Sequence, residues 1–165
     1  MVAKRFVVIF VSRRNSLRSI LAQACLAHLG EDRFSAYSCG HPAHVGDQIH
    51  PAAIRALRSA SMRVPLSRPH GWDDMIRGSS PQANFVITLD ETTLPAQPNW
   101  PGQPDSALWA FADIADLGKA DEIDRAALQM LYALRRRLEL LTSLPLHGAD
   151  RAAIRSDVRD LAHMQ

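Results

Sequence analysis

Cysteine is scarce in this chain: Cys25 and Cys39 are the only two in 165 residues. Neither stands in a CxxC pair or at a Cys/His metal-ligand spacing, which argues against a disulfide framework and against a zinc site. Long apolar runs are missing too. The longest, Phe6 to Val11, is far too short to span a bilayer or to form the core of a signal peptide, so a cytoplasmic protein without a membrane partner is expected. Nor is there an excess of charge of one sign. The formal net charge is +2, and the arginines are scattered rather than gathered in a tract, so bulk charge gives no reason to expect nucleic-acid binding. His41, His44 and His50 are irregularly spaced, and neither a metal nor another cofactor is expected. What is present is the composition of a folded domain, 47% apolar and 22% charged, which excludes a disordered or fibrous chain. The length suits one domain over residues 1–165 rather than two.

Arg5 to Val11 reads RFVVIFV, a continuous β-branched and aromatic run of the kind that is covered on both faces in a parallel sheet. Polar residues Ser12 to Ser16 interrupt it. Apolar positions Leu17, Ile20, Leu21, Ala24 and Cys25 then recur at helical spacing up to Gly30, a C-terminal capping signal. Phe34 to Cys39 predicts a second strand, and His50-Pro51 opens a helix through about Ala60. A short helix is expected over Trp72 to Arg77, a third strand over Phe85 to Leu89, an irregular proline-rich loop over Pro95 to Pro104, and a fourth strand over Ala107 to Ala110. From Asp121 to Leu144 the apolar positions trace one face of a long helix, with Arg135 to Arg137 assigned to its solvated side. A last amphipathic helix is expected from about Asp150 to Leu161. Strands alternating with helices imply an α/β three-layer sandwich, a four-stranded parallel sheet flanked by helices, with its ligand site at the carboxyl ends of the strands.

The first strand-to-helix junction, Ser12-Arg13-Arg14-Asn15-Ser16-Leu17-Arg18-Ser19, carries the chemistry. It lacks the glycines and lysine of a nucleotide-binding loop. Successive backbone N–H groups at the start of a helix can wrap a tetrahedral anion as a nest, with Arg18 closing over two oxygens through its planar fork. Asn15 is suited to a left-handed turn within such a loop. The stretch resembles the phosphate loop of low-molecular-weight tyrosine phosphatases and thioredoxin-coupled arsenate reductases: Cys, five residues, Arg, Ser, with an Asn-Ser pair inside. Ser38-Cys39-Gly40, His50-Pro51, Phe85 to Leu89 and Trp109 to Asp113 resemble later segments of that family, so the likeness covers nearly the whole chain. It implies the fold type of phosphotyrosine protein phosphatase I. It also implies that residues Ser12 to Ser19 bind phosphate, that Ser19 hydrogen-bonds the nucleophile, that Ser38 braces Asn15, and that Asp113 is the general acid.

The departures matter as much as the likeness. The family's nucleophile is a cysteine at position 12, ionised by the loop's amides and arginine. Here it is Ser12, whose hydroxyl has a far higher pKa and no evident histidine base, so turnover should be lost or cut by orders of magnitude while anion binding survives. A substrate-trapping substitution and natural decay into a pseudoenzyme lead to the same residue. The relay cysteines that an arsenate reductase needs are replaced by Leu17 and by the Asp90-Glu91 stretch, which argues against thioredoxin-coupled reduction. Ile114 stands where a proline follows the acid, and Asp113 is equally readable as a loop or helix-capping carboxylate. Arg13 and Arg14 are either surface charges or additions to the loop's field. The sequence thus points to a phosphatase-family protein holding phosphate, sulfate or a phosphomonoester. The alternatives are a non-catalytic module that recognises a phosphorylated protein and an arsenate reductase-like protein without its relay.

Overall fold

The computed structural model describes residues 5–77, 82–146 and 151–164. Four strands, β1 (Phe6–Val11), β2 (Phe34–Cys39), β3 (Phe85–Thr88) and β4 (Asp105–Leu108), form one parallel sheet in the order β2-β1-β3-β4. Among the described residues five α-helices accompany them: α1 (Arg18–Leu29), α2 (Pro51–Ser59), α3 (Trp72–Met75), α4 (Ala120–Ser143) and α5 (Arg151–Asp160). None of the described helices is long and apolar enough to cross a membrane.

The apolar run of β1 behaves as a central strand must. Val8 and Phe10 face the larger core with Ile20, Leu21, Leu131 and Leu134 of α1 and α4, while Ile9 and Val11 face a smaller cluster with Trp72, Met75 and Val86. One face of the sheet is thick with helices and the other is covered by α3 and loops, giving three unequal layers. The order places β2 and β3 on opposite sides of β1, which makes the carboxyl end of β1 a topological switch point. Val11 lies in register with Cys39 and with Thr88, so Ser12, Gly40 and Leu89 leave the sheet at one level.

Several expectations need correction. The fourth strand begins two residues earlier, at Asp105, because Asp105 pairs with Phe85 and its carboxylate is held by Arg155 Nε at 2.7 Å. It also ends earlier, although Trp109 N–H donates to Thr88 O and Phe111 N–H to Leu89 O, carrying the chain on beside β3. The third strand stops at Thr88, α3 at Met75, and α4 starts at Ala120. The proline-rich stretch contributes to a 3₁₀ segment, Glu91–Ala96, that includes Pro95. Asp150 lies outside the described residues. Gly30 ends α1 with φ −109°, not a left-handed value, and glycine is needed there because a Cβ would stand 2.7 Å from the Phe34 ring. Arg137 is not solvated. It lies three residues after Leu134 and four before Leu141, on their buried face, with its guanidinium 4.5 Å over the Phe111 ring and Nη2 donating to Met164 O at 3.1 Å. Arg135 and Arg136 behave as expected of the outer face: Arg136 is exposed, and Arg135 pairs with Glu139 one turn on.

Candidate functional site

The loop between β1 and α1 is tied to the neighbouring segments through its carbonyls. The carbonyls of Arg13, Arg14 and Ser16 point outward and accept from the N–H groups of His41, Gly46 and His50, each at 2.9 Å. The amides of Arg13 to Arg18 have no acceptor among the described residues. Asn15 sits at φ 53°, the left-handed conformation that lets consecutive peptides point their N–H groups to one side. The N-terminus of α1 adds to this field. Leu17 precedes the helix without a side-chain cap, and no acidic residue occupies the first turn, so the positive end of the helix is left for something other than the chain itself.

Side chains lock this shape from behind. Asn15 donates to Ser19 Oγ at 2.8 Å and to Ser38 Oγ at 2.9 Å, and its Oδ1 accepts from His70 N–H at 3.0 Å. Ser38 in turn donates to Gln23 Oε1. Ser12 is 2% exposed, and its hydroxyl is hydrogen-bonded to that of Ser19 at 2.7 Å. Gly40 permits the close approach: a Cβ there would lie 2.9 Å from Arg13 O and 3.0 Å from Asn15 N.

Arg18 is 6% exposed and held at both ends, Nη2 to Asp90 Oδ2 at 2.6 Å and Nη1 to Phe111 O at 2.9 Å. Burial opposes ionisation of Asp90, but the Thr92 hydroxyl and Arg18 outweigh it and hold the carboxyl below its ordinary range. Asp113, 36% exposed, brings Oδ2 to 3.6 Å from Arg18 Nη2 while its Oδ1 accepts from Ala115 N–H at 3.1 Å. It is therefore both a loop-capping carboxylate and a group facing the loop. With Ser12, Arg14, Ser16, Leu17 and Arg18 it lines a cavity of about 10 Å³. Arg14 lines that cavity and makes a loose surface pair with Asp116 at 3.5 Å, whereas Arg13 faces elsewhere.

The structure thus gathers Ser12, Arg14, Ser16, Leu17, Arg18 and Asp113 around one point, with Asn15, Ser19 and Ser38 behind. Sequence reasoning missed Asp90, Phe111, Gln23, His70 and Gly40. Asp90 was read only as a replaced relay position, although a carboxylate at the carboxyl end of a buried strand was the available signal. Cys25 and Cys39 are buried; burial raises the Cys25 thiol to about 12 and, with Asp73, raises that of Cys39 further, so neither supplies a thiolate. No group of three or more metal-ligating side chains occurs among the described residues. His50 Nδ1 instead caps α2 by accepting from Ala52 N–H.

The model of the family described as low molecular weight phosphotyrosine protein phosphatase matches residues 7–103. An arsenate reductase of Bacillus cereus (strain G9842) is 29% identical over 108 residues, covering 66% of this chain and 76% of that protein. Among solved structures, an arsenate reductase from Archaeoglobus fulgidus superposes with a TM-score of 0.64 at 17% identity, covering 83% of this chain and 99% of the other. An arsenate reductase in a phosphate-binding state gives a TM-score of 0.64 at 24% identity, covering 84% and 97%.

Proposed function

The chain belongs to the low molecular weight phosphotyrosine protein phosphatase family, and from that premise we propose that it is an oxyanion- and phosphomonoester-binding protein with little or no turnover of its own. The observation that carries this reading is the run of amides from Arg13 to Arg18 left without an acceptor among the described residues, beside a guanidinium already fixed by Asp90 and Phe111. An anion in the nest accepts those N–H groups, gains the positive end of α1, and takes a bidentate contact from Arg18. A similar structure in a phosphate-binding state supports the same ligand class.

Hydrolysis through a covalent intermediate needs an ionised nucleophile at position 12. Ser12 sits in the right place, yet its hydroxyl is hydrogen-bonded to that of Ser19 and no histidine among the described residues bonds to it. Asp113 faces the loop as a general acid must, so replacing Ser12 should restore a working pair. The test is phosphate binding by calorimetry together with p-nitrophenyl phosphate hydrolysis. Binding without turnover is expected for the chain as it stands, and turnover for Ser12→Cys. In that background Asp113→Asn should lower the rate by about 10²–10⁴-fold. Phosphate bound without rescue by cysteine favours a purely binding module that recognises a phosphorylated partner, and absence of phosphate binding defeats both. Arsenate reduction is the reading favoured by the names of the relatives. It is opposed by Ser12, Leu17 and the two buried, un-ionised thiols.

A further inference from the structure

Beside the loop lies a second cavity, about 230 Å³, lined by Arg13, His41, His44, Thr92, Thr93 and Ala96. Arg13 and Arg14 are consecutive but part company: Arg14 lines the small cavity over Ser12, and Arg13 the larger one. None of the lining residues is acidic. Its donors are basic groups on two separate loops, Arg13 after β1, and His41 and His44 after β2. The His41 ring is held between two tilted neighbours, its centroid 4.8 Å from those of both His44 and Trp72, and its Nδ1 accepts from Ala43 N–H at 3.0 Å. A neutral His41 therefore carries its proton on Nε2, as a donor. On the segment after β3 the exposed Thr92 donates its hydroxyl proton to the Asp90 carboxylate and keeps lone pairs for a ligand, while the buried Thr93 hydroxyl donates to Asp90 O and braces the wall from behind. Desolvation, then Arg13, His41 and Arg14, hold His44 below its ordinary range, a repulsion that a bound anion relieves.

We propose that this cavity is a second anion subsite and that the ligand is a small phosphomonoester carrying a second anionic group. Its phosphate occupies the Arg13–Arg18 loop, and the second group meets Arg13, His41 and His44. The Thr92 oxygen accepts from a hydroxyl on the carbon skeleton between them. This rests on the reading of the loop as a phosphomonoester site and narrows its substrate class, since basic and hydroxyl side chains make up all of the lining but Ala96 and suit an anionic, hydroxylated group.

The experiment is a calorimetric comparison of inorganic phosphate, glycerol 1-phosphate, 2,3-bisphosphoglycerate, fructose 1,6-bisphosphate and a phosphotyrosyl peptide, on the full chain and on His44→Gln. At least one two-anion compound should bind about tenfold more tightly than glycerol 1-phosphate, the gain expected of an added charge-assisted contact. His44→Gln, at an exposed position, should remove most of that gain and leave the inorganic phosphate affinity within about twofold. Proton NMR of the histidine rings on the unaltered chain gives a second readout: His44 should titrate higher with the bisphosphate bound than with inorganic phosphate bound. Equal affinity for one- and two-anion compounds, a gain indifferent to His44, or tightest binding by the peptide overturns the proposal while the loop reading stands. Failure of inorganic phosphate to bind removes the loop reading and this inference with it.

Discussion

Arg18 and Arg137 are both buried and both touch Phe111, and their surroundings differ in kind. Arg18 has a buried carboxylate at 2.6 Å, a carbonyl at 2.9 Å and, beside it, loop amides with no acceptor among the described residues. Arg137 has the faces of Phe111 and Trp109, at 4.5 and 6.0 Å, and one carbonyl, that of Met164; its Nη1 has no partner among the described residues. Burial alone depresses its pKa. The first cation is compensated and aimed at a place where further donors converge, which is what binding an anion requires. The second is accommodated by polarisable rings and serves to pack the C-terminal segment under the Trp109 to Asp113 stretch. Burial of a charge does not by itself mark function in this protein; convergence of donors beside it does.

The sharpest way to break that distinction is Arg18→Met. It strands Asp90 in the interior, so we expect a loss of about 3–5 kcal/mol in urea unfolding and no measurable phosphate binding. A variant that binds phosphate normally would refute the site. Gly40→Ala comes next, because the added Cβ meets the backbone of Arg13 and Asn15. It should cost about 1–3 kcal/mol and weaken phosphate affinity together with stability, since what it displaces is the loop itself. Acid gives a graded test of Arg18's partner. The folded-state pKa of Asp90 lies below its ordinary 3.8. Its contribution is therefore full above that value and is lost as pH falls through the lower, folded-state value. Urea midpoints followed from neutral pH downward should show this acid limb in the unaltered chain and a shallower one in Asp90→Asn. Arg137→Met should do least. Replacing an incompletely partnered buried cation by an apolar chain of similar length should change stability by less than about 1 kcal/mol and leave phosphate binding unchanged. A loss as large as that of Arg18→Met would erase the contrast.

These residues also show where sequence reading stops. The β1 run, the loop pattern from Ser12 to Ser19 and the spacing of Arg18 are local, and each obeys a rule of periodicity or turn chemistry that can be applied to a string. Ser38 was reachable only through likeness to a family. Asp90, Phe111 and His70 were not legible, because their roles depend on the strand order and in-register ends that bring chain positions 72, 93 and 55 residues away to the loop. Arg137 was misplaced for a related reason. In the sequence it belongs to a run of three arginines, and only the packing of α4 against the rest of the chain reveals which of the three turns inward.

What the sequence by itself determined is the alternation of strands and helices and the chemistry of one short loop, because backbone sterics and apolar period act over a few residues. Tertiary structure alone decided which carboxylate holds Arg18, why position 40 must be glycine, and that Arg13 and Arg14 face different cavities. Those outcomes depend on distances between segments that only the assembled sheet brings to one edge.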